Sequence, residues 1–304
     1  MGLAFMNRHV FMLIRRCPFP SNHKRTYVQS ESTPRWDPLF YAPSPMFDPL
    51  RSLALRLSQS SWPARDELTQ LARQCDRGVV NTNGRAIQFV EPSAGARSGA
   101  RYEQDVADAG KVAHRGANWH DLFNALVWMT FPLSKAGLNA RHIAERGRDT
   151  AGKRTPTAYA LTQFDEDGVV VASEQPDLLE LLRTFQWRQL FWQRRREVER
   201  SMRWLVFGHA QYEKGLQPFV GLTAKALTLL VKPGFNALSD PGQIALLDRA
   251  VADSILDSNK LASPRAFAPV PVLGIPGWWA ENERESFYDN HNYFRPGRRS
   301  TAPA

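Results

Sequence analysis

The hydrophobic pattern over residues 118–147 predicts two consecutive buried helices. Apolar residues cover most sides of the run 119–131, and this is typical of a helix buried in a protein core. Pro132 divides the stretch, because proline cannot donate to the helical ladder and restricts the backbone of the residue before it. We therefore expect one helix over 119–131 and a second over 133–147.

Further helices are predicted where apolar positions recur at helical spacing. Pro63 marks the start of one, over 62–75, and Asp240 is the expected N-cap of another, over 240–257. A long helical stretch is expected over 176–216, either continuous or interrupted near Ser201 or Gly208, and a short apolar helix over 221–231.

Short β-hairpins complete the predicted architecture. One is expected at Asn83-Gly84, a favoured type I′ pair, and a second at the turn 165–168, whereas the small polar residues of 92–105 predict a loop. The fold class is therefore mainly α (α+β). We expect a single multi-helix domain with one or two small β-hairpins and an extended Pro/aromatic-rich C-terminal arm.

The same pattern sets the expected domain boundaries. Residues 1–30 are basic and contain no acid, so we expect a disordered or non-native N-terminal extension there. A single globular domain is expected over 31–298, followed by a tail over 299–304.

Composition narrows the class of protein. The 304 residues are 43% hydrophobic, which is an ordinary globular balance, and the net charge of +9 permits attraction to nucleic acid or anionic lipid. The two cysteines, Cys17 and Cys75, cannot build a disulfide framework, and this suits a reducing cytosol. No apolar run approaches the roughly 18 residues of a membrane span, so we expect a cytoplasmic protein.

Two polar rows interrupt the apolar helices. On the first helix His120 and Asn124 lie about 40° apart, and Asp121 is adjacent, although a helix-start acid explains Asp121 by itself. On the second helix Lys135, Asn139 and His142 share a stripe with Arg146. That stripe is either a solvated face or an anion-binding wall.

A third group follows at 208–215. His209 and Glu213 are spaced i, i+4 and therefore share a helix face, with Tyr212 beside them. This spacing suits two metal ligands, a glutamate that orients a histidine, or a plain intrahelical hydrogen bond. The acids of 165–167 are expected to be structural turn residues, and they lack the further ligands of a calcium loop.

These rows support three hypotheses. The first is a hydrolase, with or without a divalent metal ion, that acts on an unidentified small molecule. Its predicted catalytic residues are His120, Asn124, His209, Glu213 and Lys135, and its predicted substrate-binding residues are Asp121, Asn139, His142 and Tyr212. It requires His120 and His209 to lie within about 12 Å of each other, in which case a zinc or iron site can form.

The second hypothesis is a binding or scaffold protein whose polar rows form a buried hydrogen-bonded network. The third is a nucleic-acid binder that uses the arginines and tryptophans of 187–204, but Glu197 and Glu199 interrupt the run, so nucleic acid is the least favoured partner. Nothing in the pattern indicates an oligomeric state.

Four motifs occur in a fixed order along the chain. They are "NWHDLFNALVWMTFPLSKAGLNARH", "LTQFDEDG", "FGHAQYEKG" with "GLTAKAL", and "PVLGIPGWW" followed by "FYDN" and "YFRP". Together they resemble the bacterial family called domain of unknown function 3025, over about residues 35–298. The resemblance implies a soluble, bacterial, single-domain protein whose N-terminal 30 residues lie outside the shared region, and it supplies no catalytic residues.

Overall fold

The computed structural model describes residues 34–76, 78–93, 99–148 and 154–297. The predicted N-terminal extension 1–30 and the tail 299–304 lie outside the described residues. The helices are α1 Arg51–Ala54, α2 Arg65–Arg73, α3 Gly99–Ala109, α4 Trp119–Thr130, α5 Pro132–Arg146, α6 Pro156–Asp167, α7 Pro176–Arg183, α8 Arg195–Ser201, α9 His209–Gly215 and α10 Asp240–Leu256. The strands are β1 Gln88–Val90, β2 Lys111–Ala113, β3 Gly168–Ser173, β4 Met202–Val206, β5 Thr223–Leu230 and β6 Ala268–Pro271. The mainly α, α+β class is confirmed.

Helices α4 and α5 form where the apolar pattern predicts them. The Asn118 side chain accepts a hydrogen bond from the Asp121 N–H at 3.0 Å, which caps the first turn of α4. Pro132 begins α5, and the buried Asp248 carboxylate of α10 accepts from the Leu133 and Ser134 N–H groups at 3.0 and 2.8 Å. A carboxylate from another helix thus caps α5 and fixes α5 against α10.

A four-stranded sheet lies in the order β4–β3–β5–β6. Strand β3 pairs antiparallel with β4 and parallel with β5, and β5 pairs antiparallel with β6. Every residue of β3 is buried, so both faces of the sheet are covered at its centre. Strands β1 and β2 form a separate parallel pair. Within the described residues, no helix is long and apolar enough to cross a membrane.

Several predicted elements are wrong. Asp165–Gly168 is not a hairpin turn, because α6 runs to Asp167 and continues directly into β3. The helical stretch predicted over 176–216 is broken into α7, a π-helical turn at Gln189–Gln193, α8, β4 and α9. The interruptions expected near Ser201 and Gly208 are present, but the segment between them is strand β4 and not helix. The predicted helix over 221–231 is strand β5, in which Ala224, Ala226 and Leu227 are buried while Leu230 at its end is exposed.

The hairpin predicted at Asn83-Gly84 reduces to one antiparallel bridge between Val80 and Ala86. The turn spans Asn81 to Gly84, and among the described non-glycine residues of the turn none has a positive φ, so it is not type I′. The predicted loop over 92–105 is wrong from residue 99 onward, because α3 begins at Gly99. The C-terminal arm contributes β6 and short 3-10 turns, and buried aromatic side chains anchor it (Trp278, Tyr288, Tyr293 and Phe294).

Candidate functional site

Two histidines from distant parts of the chain meet between α4 and α9. His120 Nε2 lies 3.0 Å from His209 Nε2, well inside the predicted limit. His120 Nδ1 lies 3.0 Å from the Glu213 carboxylate, which is one helical turn after His209 on α9. The structure therefore brings together three of the predicted catalytic residues, His120, His209 and Glu213.

The carboxyl end of α6 adds acids to this cluster. Glu166 Oε2 lies 3.5 Å from His209 Nε2, and one ligand atom each from His120, His209 and Glu166 lies within 4.8 Å of the others. Asp165 Oδ1 lies 3.9 Å from His209 Nδ1. Each imidazole thus has a carboxylate near its Nδ1 and faces the cluster through its Nε2.

Gly208 permits this close approach of α6 and α9. A Cβ at Gly208 would lie 2.3 Å from the Glu166 carbonyl oxygen and 2.4 Å from the Gly168 nitrogen. Its N–H donates to the Gly168 carbonyl at 2.9 Å, which fixes the start of α9 against the end of α6. A larger residue would force His209 away from Glu166.

A buried ion pair lies beside the histidines. Lys135 Nζ is 2.6 Å from Asp165 Oδ1, and the Lys135 side chain is 4% exposed. Burial opposes charge on Asp165, but the charge of Lys135 and its hydrogen bond outweigh burial and hold the pKa of that carboxyl below its usual value. Lys135 therefore keeps Asp165 ionised next to His209.

Helix α3 places a second acid near the site. Asn139 Nδ2 donates to the Glu103 carboxylate at 2.6 Å and to the Glu103 carbonyl at 2.8 Å. Burial is the largest influence on Glu103 and raises the pKa of its carboxyl to about 7. Next to Glu103 on α3, the Tyr102 hydroxyl accepts from Asn124 Nδ2 at 3.2 Å.

Several of these groups line a cavity of about 600 Å³, whereas Lys135, Asn139 and Glu213 are not among its lining residues. Its polar lining includes Tyr102, Glu103, Arg115, His120, Asp121, Asn124, His142, Arg146, Arg154, Thr162, Asp165, Glu166 and His209. Such a volume accommodates a small molecule, and its acids and histidines lie near one another.

Burial sets the charge of the two histidines differently. His209 is buried, and desolvation lowers its pKa to about 3, so its imidazole is neutral at pH 7. Burial also disfavours charge on His120, but the hydrogen bond that it donates to Glu213 and the charge of Glu166 outweigh burial and raise the pKa of His120. Burial and the neighbouring Asp165 raise the pKa of Glu166.

The other predicted residues lie in different surroundings. Asp121 and His142 line the cavity, but Asp121 is bound to Arg115, whose Nε and Nη2 donate to its two oxygens at 2.8 and 2.7 Å. Burial lowers the pKa of His142. Tyr212 is not brought to the cavity: it packs between Phe47 and Phe123, and its hydroxyl donates to a backbone carbonyl.

Sequence reasoning missed Glu103, Asp165 and Glu166. The first was assigned to a loop, and the other two were interpreted as turn acids. Both errors are errors of secondary structure. Tyr102 and Val106 lie on one face of α3, at the i, i+4 spacing that predicts a helix, but the Gly- and Ser-rich residues before them obscured the pattern.

The arginine-rich segment is bound to acids. Arg188 pairs with Glu285 at 2.5 Å and Asp289 at 2.6 Å, so it ties the C-terminal arm to the body. Arg195 pairs with Glu199 at 3.1 Å and with Glu283 of the arm. Because the guanidinium groups of Arg188 and Arg195 are paired with carboxylates of the protein, they are less available to bind phosphate groups of a nucleic acid.

Comparison with known proteins identifies a family but no characterised relative. No curated protein and no solved structure matches the chain. The family model that matches is described as protein of unknown function (DUF3025), and it covers residues 87–298, beginning later than the resemblance over 35–298 predicted. The match includes every residue of the histidine–carboxylate cluster and most of the chain, and the chain therefore belongs to the DUF3025 family.

Proposed function

We propose that the protein is a metal-dependent hydrolase in which His120, His209 and Glu166 hold one divalent cation. The observation that carries the proposal is the convergence of the two Nε2 atoms at 3.0 Å, beside the Glu166 carboxylate. Two nitrogens bound to one tetrahedral zinc ion at about 2.1 Å lie roughly 3.4 Å apart, so the spacing suits shared coordination.

The tautomer of His120 suits a cation between the two histidines. The Glu213 carboxylate lies 3.0 Å from His120 Nδ1 and holds the imidazole proton there, which leaves the His120 Nε2 lone pair facing His209. Asp165 lies 3.9 Å from His209 Nδ1, which makes no hydrogen bond within the described residues. Without a metal, a proton on one of the two Nε2 atoms bridges the pair; a bound cation would replace that proton and coordinate both nitrogens.

Three protein ligands leave coordination positions for water and substrate, as in catalytic zinc sites. A bound cation would polarise a substrate carbonyl or phosphoryl oxygen and lower the pKa of a water molecule. Glu103 lines the same cavity with a pKa of about 7, so its carboxyl can donate or accept a proton at neutral pH. We assign Glu103 as the general acid–base group.

In this proposal Lys135 and Asn139 are positioning residues. Lys135 keeps Asp165 ionised, and Asn139 holds the Glu103 carboxylate. Both would also belong to a purely structural network, which is the competing scaffold hypothesis. Metal binding separates the two, because a satisfied structural network needs no cation.

The test measures metal content and affinity. The full chain would be titrated with Zn²⁺, Mn²⁺ and Fe²⁺, beside His209→Ala, Glu166→Gln and the control His291→Ala, whose histidine is exposed in the C-terminal arm. We expect one bound equivalent in the wild type and in the control, and at least about tenfold weaker binding in both site variants. Glu166→Gln keeps a half-exposed side chain of the same size, so it remains informative if His209→Ala fails to fold.

Hydrolysis follows with carboxylic ester, amide and phosphate ester substrates. Activity should disappear with a chelator and return with the metal. A wild-type protein that binds none of the three metals, or variants that bind as the wild type does, would overturn the metal site. A loaded protein that hydrolyses none of the three substrate classes would overturn the hydrolase.

A further inference from the structure

We infer that the substrate of this site carries an anionic group, a carboxylate or a phosphate, that binds Arg146 and Arg154 beside the first turn of α3. The inference rests on the proposed function, because it treats the cavity as a substrate site. Neither arginine belongs to the metal cluster. The two arginines mark the end of the cavity that would bind the anionic group of the substrate.

The two guanidinium groups reach adjacent residues at the start of α3. Arg146 Nη1 donates to the Ala100 carbonyl at 2.7 Å. Arg154 Nη2 lies 3.3 Å from the position that a Cβ on Gly99 would take. Since Gly99 and Ala100 line the cavity, two positive charges meet there at the start of an 11-residue helix. The first-turn N–H groups of a helix add positive potential for an anion.

The three arginines of the cavity differ in their partners. The charge of Arg115 is neutralised by Asp121, whose carboxylate accepts hydrogen bonds from Arg115 Nε and Nη2. Among the residues that the structure describes, neither Arg146 nor Arg154 forms an ion pair within 4.0 Å. Arg146 lowers the pKa of Glu103, but burial outweighs this effect and raises that pKa to about 7. The Glu103 carboxylate accepts its hydrogen bond from Asn139 and not from Arg146. Two cations at one end of the cavity therefore remain for an external anion.

An independent observation indicates a polar ligand in the same cavity. Asn124 lines it with only 8% of its surface exposed. Its Nδ2 donates to the Tyr102 hydroxyl, but within the described part of the chain its Oδ1 has no hydrogen-bond partner. Burial of an amide oxygen without a hydrogen bond is unfavourable, so a ligand that donates a hydrogen bond to Asn124 Oδ1 is favoured there. A substrate that reaches from Asn124 to the arginines satisfies both ends.

The probes are inorganic phosphate and acetate, each titrated calorimetrically into the full chain with and without Zn²⁺. The proteins are wild type, Arg146→Ala, Arg154→Ala, the double variant, and Arg73→Ala, which removes an exposed arginine at the end of α2, outside the cavity lining. We expect at least one anion to bind and the double variant to lose affinity at least about tenfold, while Arg73→Ala keeps it. The anion that binds more tightly identifies the substrate group as a phosphate or a carboxylate.

Three results would overturn the inference: no binding of either anion, an undiminished affinity in the double variant, or an equal loss in Arg73→Ala. The metal content of each protein, measured in parallel, distinguishes failure of the anion site from failure of the proposed metal-dependent hydrolase. If anion binding depends on Arg146 and Arg154 but no metal binds, the anion site stands and the metal-dependent hydrolase fails. If metal binds as proposed but anion binding ignores the arginines, only the substrate inference fails.

Discussion

Replacement of Glu213 by glutamine should weaken metal binding without removing a ligand. The Glu213 carboxylate lies 3.0 Å from His120 Nδ1 and holds the proton there, so that the Nε2 lone pair faces His209. Glutamine has the same reach, but its amide is neutral and can donate as well as accept. His120 then loses its fixed tautomer and part of its basicity.

The expected size of the effect follows from the exposure of Glu213. Loss of the partner of a metal-bound histidine costs about 10–100-fold in affinity. The Glu213 side chain is 47% exposed, so solvent screens its charge and we expect the lower end of that range. The prediction is a tenfold weaker Kd, or about 1.4 kcal/mol.

The assay is competition between the protein and a chelator of known Zn²⁺ affinity at pH 7. Glu180→Gln on α7 is the matched control, because Glu180 is exposed and lies outside the cavity lining. NMR titration of the metal-free protein should also show a lower pKa for His120 in Glu213→Gln, because Glu213 raises it. If the His120 pKa falls but the Zn²⁺ affinity does not, the contact exists without orienting a ligand, and the reasoning is refuted.

Three further predictions concern stability. Lys135→Met leaves the Asp165 carboxylate buried without its cation, so chemical denaturation should show a loss of about 3–5 kcal/mol at pH 7, and an unchanged midpoint would contradict the buried pair. The pKa of Glu103 rises from 4.5 to about 7 on folding, so the folded state binds more protons between these pH values, and the stability that Glu103 contributes is lost as the pH rises through them. Relative to Glu103→Gln, the wild type should lose about 3 kcal/mol of unfolding free energy from below pH 4.5 to above pH 7. A difference in unfolding free energy between the two proteins that stays constant with pH would refute the shift. Gly208→Ala forces a Cβ against the backbone of Glu166, so denaturant titration should show a loss of about 1–3 kcal/mol, and wild-type stability would show that the backbone can move apart.

Helices with clear local signals were predictable from the sequence. Asn118 and Pro132 mark the boundaries of α4 and α5, and the apolar spacing of α2 and α10 defines one buried face. These signals act within one or two turns, so they survive without knowledge of the fold. Small differences remain at the ends: α10 is capped by Ser239 rather than by Asp240.

The central sheet was not predictable by the same means. Strand β5 pairs in parallel with β3, more than 50 residues earlier in the chain, and its apolar residues do not alternate strictly with polar ones, because Ala226 and Leu227 are adjacent and both buried. Its continuous apolar run resembles a short buried helix, which is how 221–231 was interpreted. The pairing is a tertiary property, so local periodicity contains no trace of it.

The residues of the candidate site also divide into those with a local sequence signal and those whose role depends on tertiary structure. His120 could be singled out because it is a polar residue on an apolar helix, and His209 because Glu213 follows it at helical spacing. Glu166 was missed because its role depends on α6 ending against α9, and a residue at a helix end looks locally like a turn acid. The ligand that would complete the metal site is therefore the one that only the close approach at Gly208 reveals. A test of Glu166 thus examines the part of the proposal that depends most on the fold.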